Sequence, residues 1–174
     1  VGLHTLRQKK PQVLPAKRNP SQIQEIIELI GPPKPKGETL LASSLHEIAE
    51  TVRMRAMIFV VSDMLDEPSD ILDAVLHLRD RKHEVVLFHL FDPQELEFTF
   101  DRPTRFVDLE GAGSLITEPT VIRAEYLARL DEHVEELRQG CLEAQARYHV
   151  VRTDTPLVDV IDDFSAGRIG GKAA

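Results

Sequence analysis

Four polar residues at element boundaries stand out as able to do chemistry. Ser62, Asp63 and Asp66 follow directly on the apolar run Ala56-Met57-Ile58-Phe59-Val60-Val61, and Thr39 stands just before the apolar-periodic stretch that opens at Leu41. A carboxylate and a hydroxyl, completed by ordered water, are suitable oxygen ligands for Mg²⁺, a hard cation that keeps several waters and needs few protein groups. The same residue types also serve structure. Thr39 would cap the helix that follows it, and Asp63 would steady its turn by accepting backbone N–H bonds. As an enzyme, the chain would use Asp63 and Asp66 to bind Mg²⁺ for hydrolytic or phosphoryl chemistry. No nucleophile or base with an evident partner accompanies them.

The elements that must position these residues follow from hydrophobic spacing. Six consecutive apolar residues without polar alternation read as a strand buried on both faces, as in a parallel sheet covered by helices. Ligands of such sheets gather outside the carboxyl ends of the strands, so Ser62, Asp63 and Asp66 fall on a loop held by a rigid strand. A second unbroken apolar strand runs from Val85 to Phe91, and Tyr148-His149-Val150-Val151 makes a last one. Leu41, Leu45, Ile48 and Val52 form one face of a helix, and Ile71, Leu72, Val75 and Leu78 one face of another from Ser69 to about Lys82. Leu127, Leu130, Val134, Leu137 and Cys141 predict a long helix, and a last helix runs from Leu157 to Phe164. Strands alternating with helices predict an α/β domain with a mostly parallel sheet.

Shorter signals fill the rest of the chain. Val1 to about Leu6 reads as a strand and Gln12-Val13-Leu14 as its return, with Pro11 and Pro15 placing the return at a sheet edge. Ser21 is an N-cap for a helix carrying Ile23, Ile26, Ile27 and Ile30, which Gly31-Pro32-Pro33 ends. Residues 32–37 form a stiff linker. Asp92 to Leu96 predicts one helical turn, and Thr104 to Leu109 with Ser114 to Thr117 a small hairpin. The domain is expected over residues 1–166, with 167–174 a flexible small-residue tail.

Composition narrows the function classes. The 174 residues are 42% hydrophobic and 29% charged, which suits one domain with a true core. The net charge of −8 splits into +5 over residues 1–36 (seven Lys/Arg, two Asp/Glu) and −13 over the rest (fourteen and twenty-seven). An acidic bulk repels nucleic acid at long range, and the basic N-terminal charges read as solvated edge protection. No apolar run reaches the ~20 residues of a membrane span. A single Cys excludes an internal disulfide framework and favours a reducing, cytoplasmic setting. Cys141 falls on an apolar helix face, as a buried structural thiol would. None of the seven histidines has the two-ligand helical spacing of a zinc site, and His83 and His89 read as turn and strand-edge residues. Glycine-rich phosphate loops and the Gly-x-Ser-x-Gly elbow are absent.

A resemblance joins these observations. Val1-Gly2-Leu3, Gly37-Glu38-Thr39-Leu40-Leu41-Ala42 and Phe59-Val60-Val61-Ser62-Asp63 follow the order of von Willebrand factor type A domains. Leu90 to Phe98, Pro103 to Glu110 and Thr153 to Leu157 are similar to a bacterial branch of that superfamily, catalogued as domain of unknown function fifty-eight. The resemblance implies a Rossmann-like three-layer α/β sandwich with a mostly parallel sheet and an antiparallel edge strand. It also implies a metal-ion-dependent adhesion site. There Thr39 and Asp63 would help hold Mg²⁺ or Mn²⁺, and a partner's carboxylate would fill the open position. Glu38 and Met64 stand where that site usually has glycines, and its Asp-x-Ser-x-Ser loop occurs nowhere in these residues. The chain, which opens on Val1 rather than Met, is therefore expected to lack an upstream first strand, to be unstable alone without it and to bind metal poorly. The implied role is a non-enzymatic, metal-dependent interaction module, an adaptor beside a MoxR-type AAA+ ATPase in assembly or metal insertion. A structural or oligomerising domain with a degenerate metal site is the further alternative.

Overall fold

The computed structural model describes residues 1–6, 12–31, 40–107 and 114–167. The linker expected at 32–37, Thr39, the hairpin tip at 108–113 and the tail from 168 onward lie outside the described residues. In chain order the elements are β1 (Leu3–His4), β2 (Val13–Leu14), α1 (Gln22–Ile30), α2 (Leu41–Thr51), β3 (Met57–Ser62), α3 (Pro68–Asp80) and β4 (Glu84–Phe91). They continue with α4 (Pro93–Glu97), β5 (Thr104–Val107), β6 (Ser114–Thr117), α5 (Pro119–Glu143), β7 (Arg147–Arg152) and α6 (Leu157–Ser165).

The α/β architecture expected from the sequence is present. β3, β4 and β7 form a parallel sheet in that order, with Val60 opposite Leu87 and Leu87 opposite Tyr148. Antiparallel pairing occurs in two separate two-stranded sheets, β1–β2 and β5–β6. All three parallel strands point their carboxyl ends the same way, so the loops after Ser62, Phe91 and Arg152 share one edge. Among the described residues no helix is long and apolar enough to cross a membrane.

Helix positions follow from local chemistry. α3 opens with Pro68, whose missing N–H costs nothing in a first turn, and buries Ile71, Ala74, Val75 and Leu78 at helical spacing. α4 carries a capping box, in which Asp92 accepts from the Gln94 N–H at 2.8 Å and Glu95 from the Asp92 N–H at 2.8 Å. In α5, Leu137 and Cys141 join the core, and Gly140 leaves room for the Leu72 side chain of α3, which a Cβ there would force aside. Burial pushes the Cys141 thiol up to about 12, which leaves it inert as expected. The first half of α5 instead braces the aromatic group of Phe98, Phe106 and Tyr126, with Arg123 donating to the Phe98 carbonyl at 2.9 Å.

Four expectations need correction. The strand Ala56–Val61 is not buried on both faces: Ile58 and Val60 meet the core, while Met57, Phe59 and Val61 remain 46%, 50% and 58% exposed. Successive strand side chains point to opposite faces, and α2, α3 and α5 cover only one of them. On the other face the ring of Phe164 from α6 touches Phe59, Phe88 and His149. Ser21 stands at the N-cap of α1 as expected, but its side chain makes no capping bond; its own N–H donates to Asn19 Oδ1. Val52 lies past the end of α2 and is exposed. His89 is a wholly buried residue of the central strand, not a strand-edge one.

Candidate functional site

The loop after β3 is held from beneath and open above. Ser62 Oγ accepts the Met64 N–H at 3.1 Å and donates to Asp63 Oδ1 at 3.2 Å. Ser62, not the Asp63 carboxylate, thus closes the turn, and Asp63 itself is exposed. The Asp63 carbonyl lies 2.8 Å from His89 Nε2, and the Met64 carbonyl 3.0 Å from His133 Nε2. Carbonyl oxygens only accept, so both rings carry a proton on Nε2. His89 Nδ1 is then the acceptor for the Tyr148 hydroxyl at 2.6 Å. Side chains from β4, β7 and α5 therefore fix the main chain at residues 63 and 64 and leave the carboxylate facing outward.

Burial sets the charge state of this support. It lowers the His89 pKa to about 4, against the raising effect of its bond to Asp63, with a smaller lowering from His133. A neutral imidazole is what the pattern needs, because the Tyr148 bond requires an Nδ1 lone pair. Tyr148 is correspondingly held well above the usual phenol range by burial.

Met64 shows how firmly the loop is held. Its φ of 49° lies in the left-handed region that favours glycine, yet its side chain is fully buried in the core. A left-handed non-glycine residue costs roughly 1–2 kcal/mol, and burying a Met side chain returns about 1.5–3 kcal/mol.

Asp66 has a different task from Asp63. Its Oδ2 accepts the Ala42 N–H at 3.1 Å in the first turn of α2, where negative charge is favourable. This bond caps a helix whose own N-cap residue, Leu40, makes no side-chain bond. It also ties the Asp63 loop to the start of α2, directly after residue 39. Asp66 is thus occupied as a cap, and the structure gives Asp63 and Asp66 separate partners. Further along the same sheet edge, half-buried Arg152 pairs with Glu97 at 3.0 Å and Asp154 at 3.0 Å. Among the described residues there is no group of three His, Cys, Asp or Glu side chains that could hold a metal ion.

The description "Protein of unknown function DUF58" matches residues 1–136. The chain belongs to that family. The DUF58 match includes the Asp63 loop, His89 and His133 and ends inside α5, so Thr153–Leu157, read above as part of the likeness, lie beyond it. No curated protein and no solved structure matches the chain.

His89, His133 and Tyr148 are the residues that sequence reasoning missed. One signal was available: a polar residue inside Val85–Phe91 must find partners if that strand is buried. Which partners it finds depends on strand order, which no local pattern encodes.

Proposed function

We propose that this DUF58 chain is a non-enzymatic interaction module whose Asp63 loop contributes to a Mg²⁺ or Mn²⁺ site read by a partner's carboxylate. One observation carries the reading: a rigidly supported main chain at Asp63 and Met64 presents an exposed carboxylate at the carboxyl edge of a parallel sheet. That edge is where open α/β sheets collect ligands. A hydroxyl from Thr39 would come from the segment next to Leu40, and Asp66 already ties that end of α2 to the loop. The likeness to von Willebrand A domains supports the same pair of ligands. It also supports an adaptor role beside a MoxR-type AAA+ ATPase, in assembly or metal insertion. The hydrolase alternative loses support because Asp66 is engaged as a helix cap.

The test is retention of such an ATPase by the intact protein carrying this chain, in Mg²⁺ or Mn²⁺ and in chelator. Retention should require metal and fall strongly in Asp63→Ala. Asp66→Asn should lower stability without removing retention. Metal-dependent phosphatase or peptidase turnover that disappears in Asp63→Ala would replace the module reading with the enzyme one.

A further inference from the structure

β3 is an edge of the parallel sheet: among the described residues β4 pairs with one side of it and no strand pairs with the other. Ala56 fixes which main-chain groups face which way. Its carbonyl accepts the Glu84 N–H at 2.9 Å and its own N–H donates to His83 Nδ1 at 3.2 Å, both on the β4 side. Successive residues of a strand direct these groups to opposite sides. Ile58, Val60 and Ser62 therefore bond to β4, while Met57, Phe59 and Val61 turn their N–H and C=O outward. The same three residues carry the half-exposed side chains of the outer face. Sheet edges are normally blunted by charge, proline or a bulge. The opposite edge strand, β7, has Arg147 and Arg152 at its two ends. Met57–Ser62 holds no charged residue and no proline, and its pairing with β4 runs unbroken. An apolar edge of this kind is a template for another strand.

We propose that β3 pairs antiparallel with β3 of a second copy of this chain, about a two-fold axis at Phe59, joining two sheets into one. The strand is self-complementary in this register. Phe59 stands opposite its own mate and Met57 opposite Val61, and each such pair exchanges two main-chain bonds, which satisfies every outward group of the three residues. Residues directly opposite share a face, so the apolar side chains of both copies meet on the outer face, where Phe59 already stacks on Phe88. Charge matches at the ends. Continuing the register brings exposed Arg55 of one copy to exposed Asp63 of the other. Arg55 also holds Glu84 at 2.7 Å on the surface, so the second pairing sets register and adds little affinity. One sequence thus supplies apolar pairing in the middle and opposite charges at its two ends, which favours a second copy over a foreign strand. The inference needs no metal at Asp63.

Sedimentation, amide exchange and cross-linking of the purified chain test this. Wild type should show a reversible monomer–dimer equilibrium. The Phe59 and Val61 amides should exchange more slowly as concentration rises, a measurement that needs no variant. Val61→Pro deletes an outward N–H in each copy and no bond within the chain, and should weaken dimerisation roughly 10–100-fold. Phe59→Lys sets like charges directly opposite each other and should leave only monomer. Phe59→Cys should give a disulfide-linked dimer on mild oxidation, because such a pair sets its Cα atoms about 5.5 Å apart, within disulfide reach. Val61→Cys should not, since its mate lies roughly 14 Å along the strand. Buried Cys141 does not compete. Asp63 is untouched in every variant, so failure here and failure of the Asp63 reading are distinguishable. A monomer at all concentrations, a dimer that survives both Val61→Pro and Phe59→Lys, or cross-linking at Val61→Cys instead of Phe59→Cys would each overturn the proposal. So would protected Phe59 and Val61 amides in a monomer, because another segment of the same molecule would then hold the edge.

Discussion

The parallel sheet has two faces built from the same three strands, and the rest of the chain treats them differently. On one, Val60, Leu87 and Tyr148 are sealed by α2, α3 and α5. On the other, Phe59 and Val61 stay half-exposed, and the contact from α6 is the ring of Phe164, with the Arg147 guanidinium 4.7 Å from its centroid. Leu157, Val158 and Ile161 of α6 are exposed as well. Histidines divide the same way. On the covered face His89 has both nitrogens bonded and supports the Asp63 loop, whereas His149 stacks on Phe88 with a buried Nε2 that has no hydrogen-bond partner. An unbroken apolar strand therefore does not by itself call for a full helical layer on each side: here, among the described residues, the second face has only the edge of α6 over Phe88 and His149. The function proposed above rests wholly on the covered face.

Substitutions on the two faces should differ most in stability. Leu87→Ala removes a wholly buried side chain and should cost about 2–5 kcal/mol, whereas Val61→Ala should stay within about 0.5 kcal/mol. Urea unfolding midpoints read the difference, and equal losses would break the contrast between the faces.

Acid should act through the covered face next. His89 has a folded pKa of about 4 against an ordinary 6.5, so between these values the unfolded chain binds a proton that the folded one does not. Stability then rises with pH across that window: it is full above about pH 6.5 and lost by about pH 4, a change of about 3 kcal/mol. His83 and His149 are shifted down too, also mainly by burial, and add in the same direction. Thermal unfolding from pH 4 to 7 should show the slope, and His89→Gln should flatten it. An unchanged slope in that variant would assign the effect elsewhere.

Smaller effects sharpen the comparison of the two histidines. Tyr148→Phe removes the hydroxyl bonded to His89 and should cost about 1 kcal/mol, with faster amide exchange at Met64. His149→Phe removes an unsatisfied polar atom and should be neutral or slightly stabilising. Hydrogen exchange and calorimetry distinguish them, and a larger loss for His149→Phe would mean that its ring has a partner the contacts do not show.

The sequence by itself determined the alternation of strands and helices, the inward faces of α2 and α3 at Leu41, Leu45, Ile71 and Val75, and the fate of Cys141. Each is a periodicity within one element, set by water's exclusion from apolar side chains. It also placed Asp63 at a strand's carboxyl end. Tertiary structure decided everything that joins distant segments. Asp66 finds Ala42 across 24 residues, His89 finds Tyr148 across 59, and His133 finds Met64 across 69. A buried donor or acceptor must be paired, but the chain states only that need; the order β3–β4–β7 and the seat of α5 choose the partner. The thin cover on the second face of the sheet was decided there too, since two-sided burial depends on where helices settle and not on the strand that awaits them.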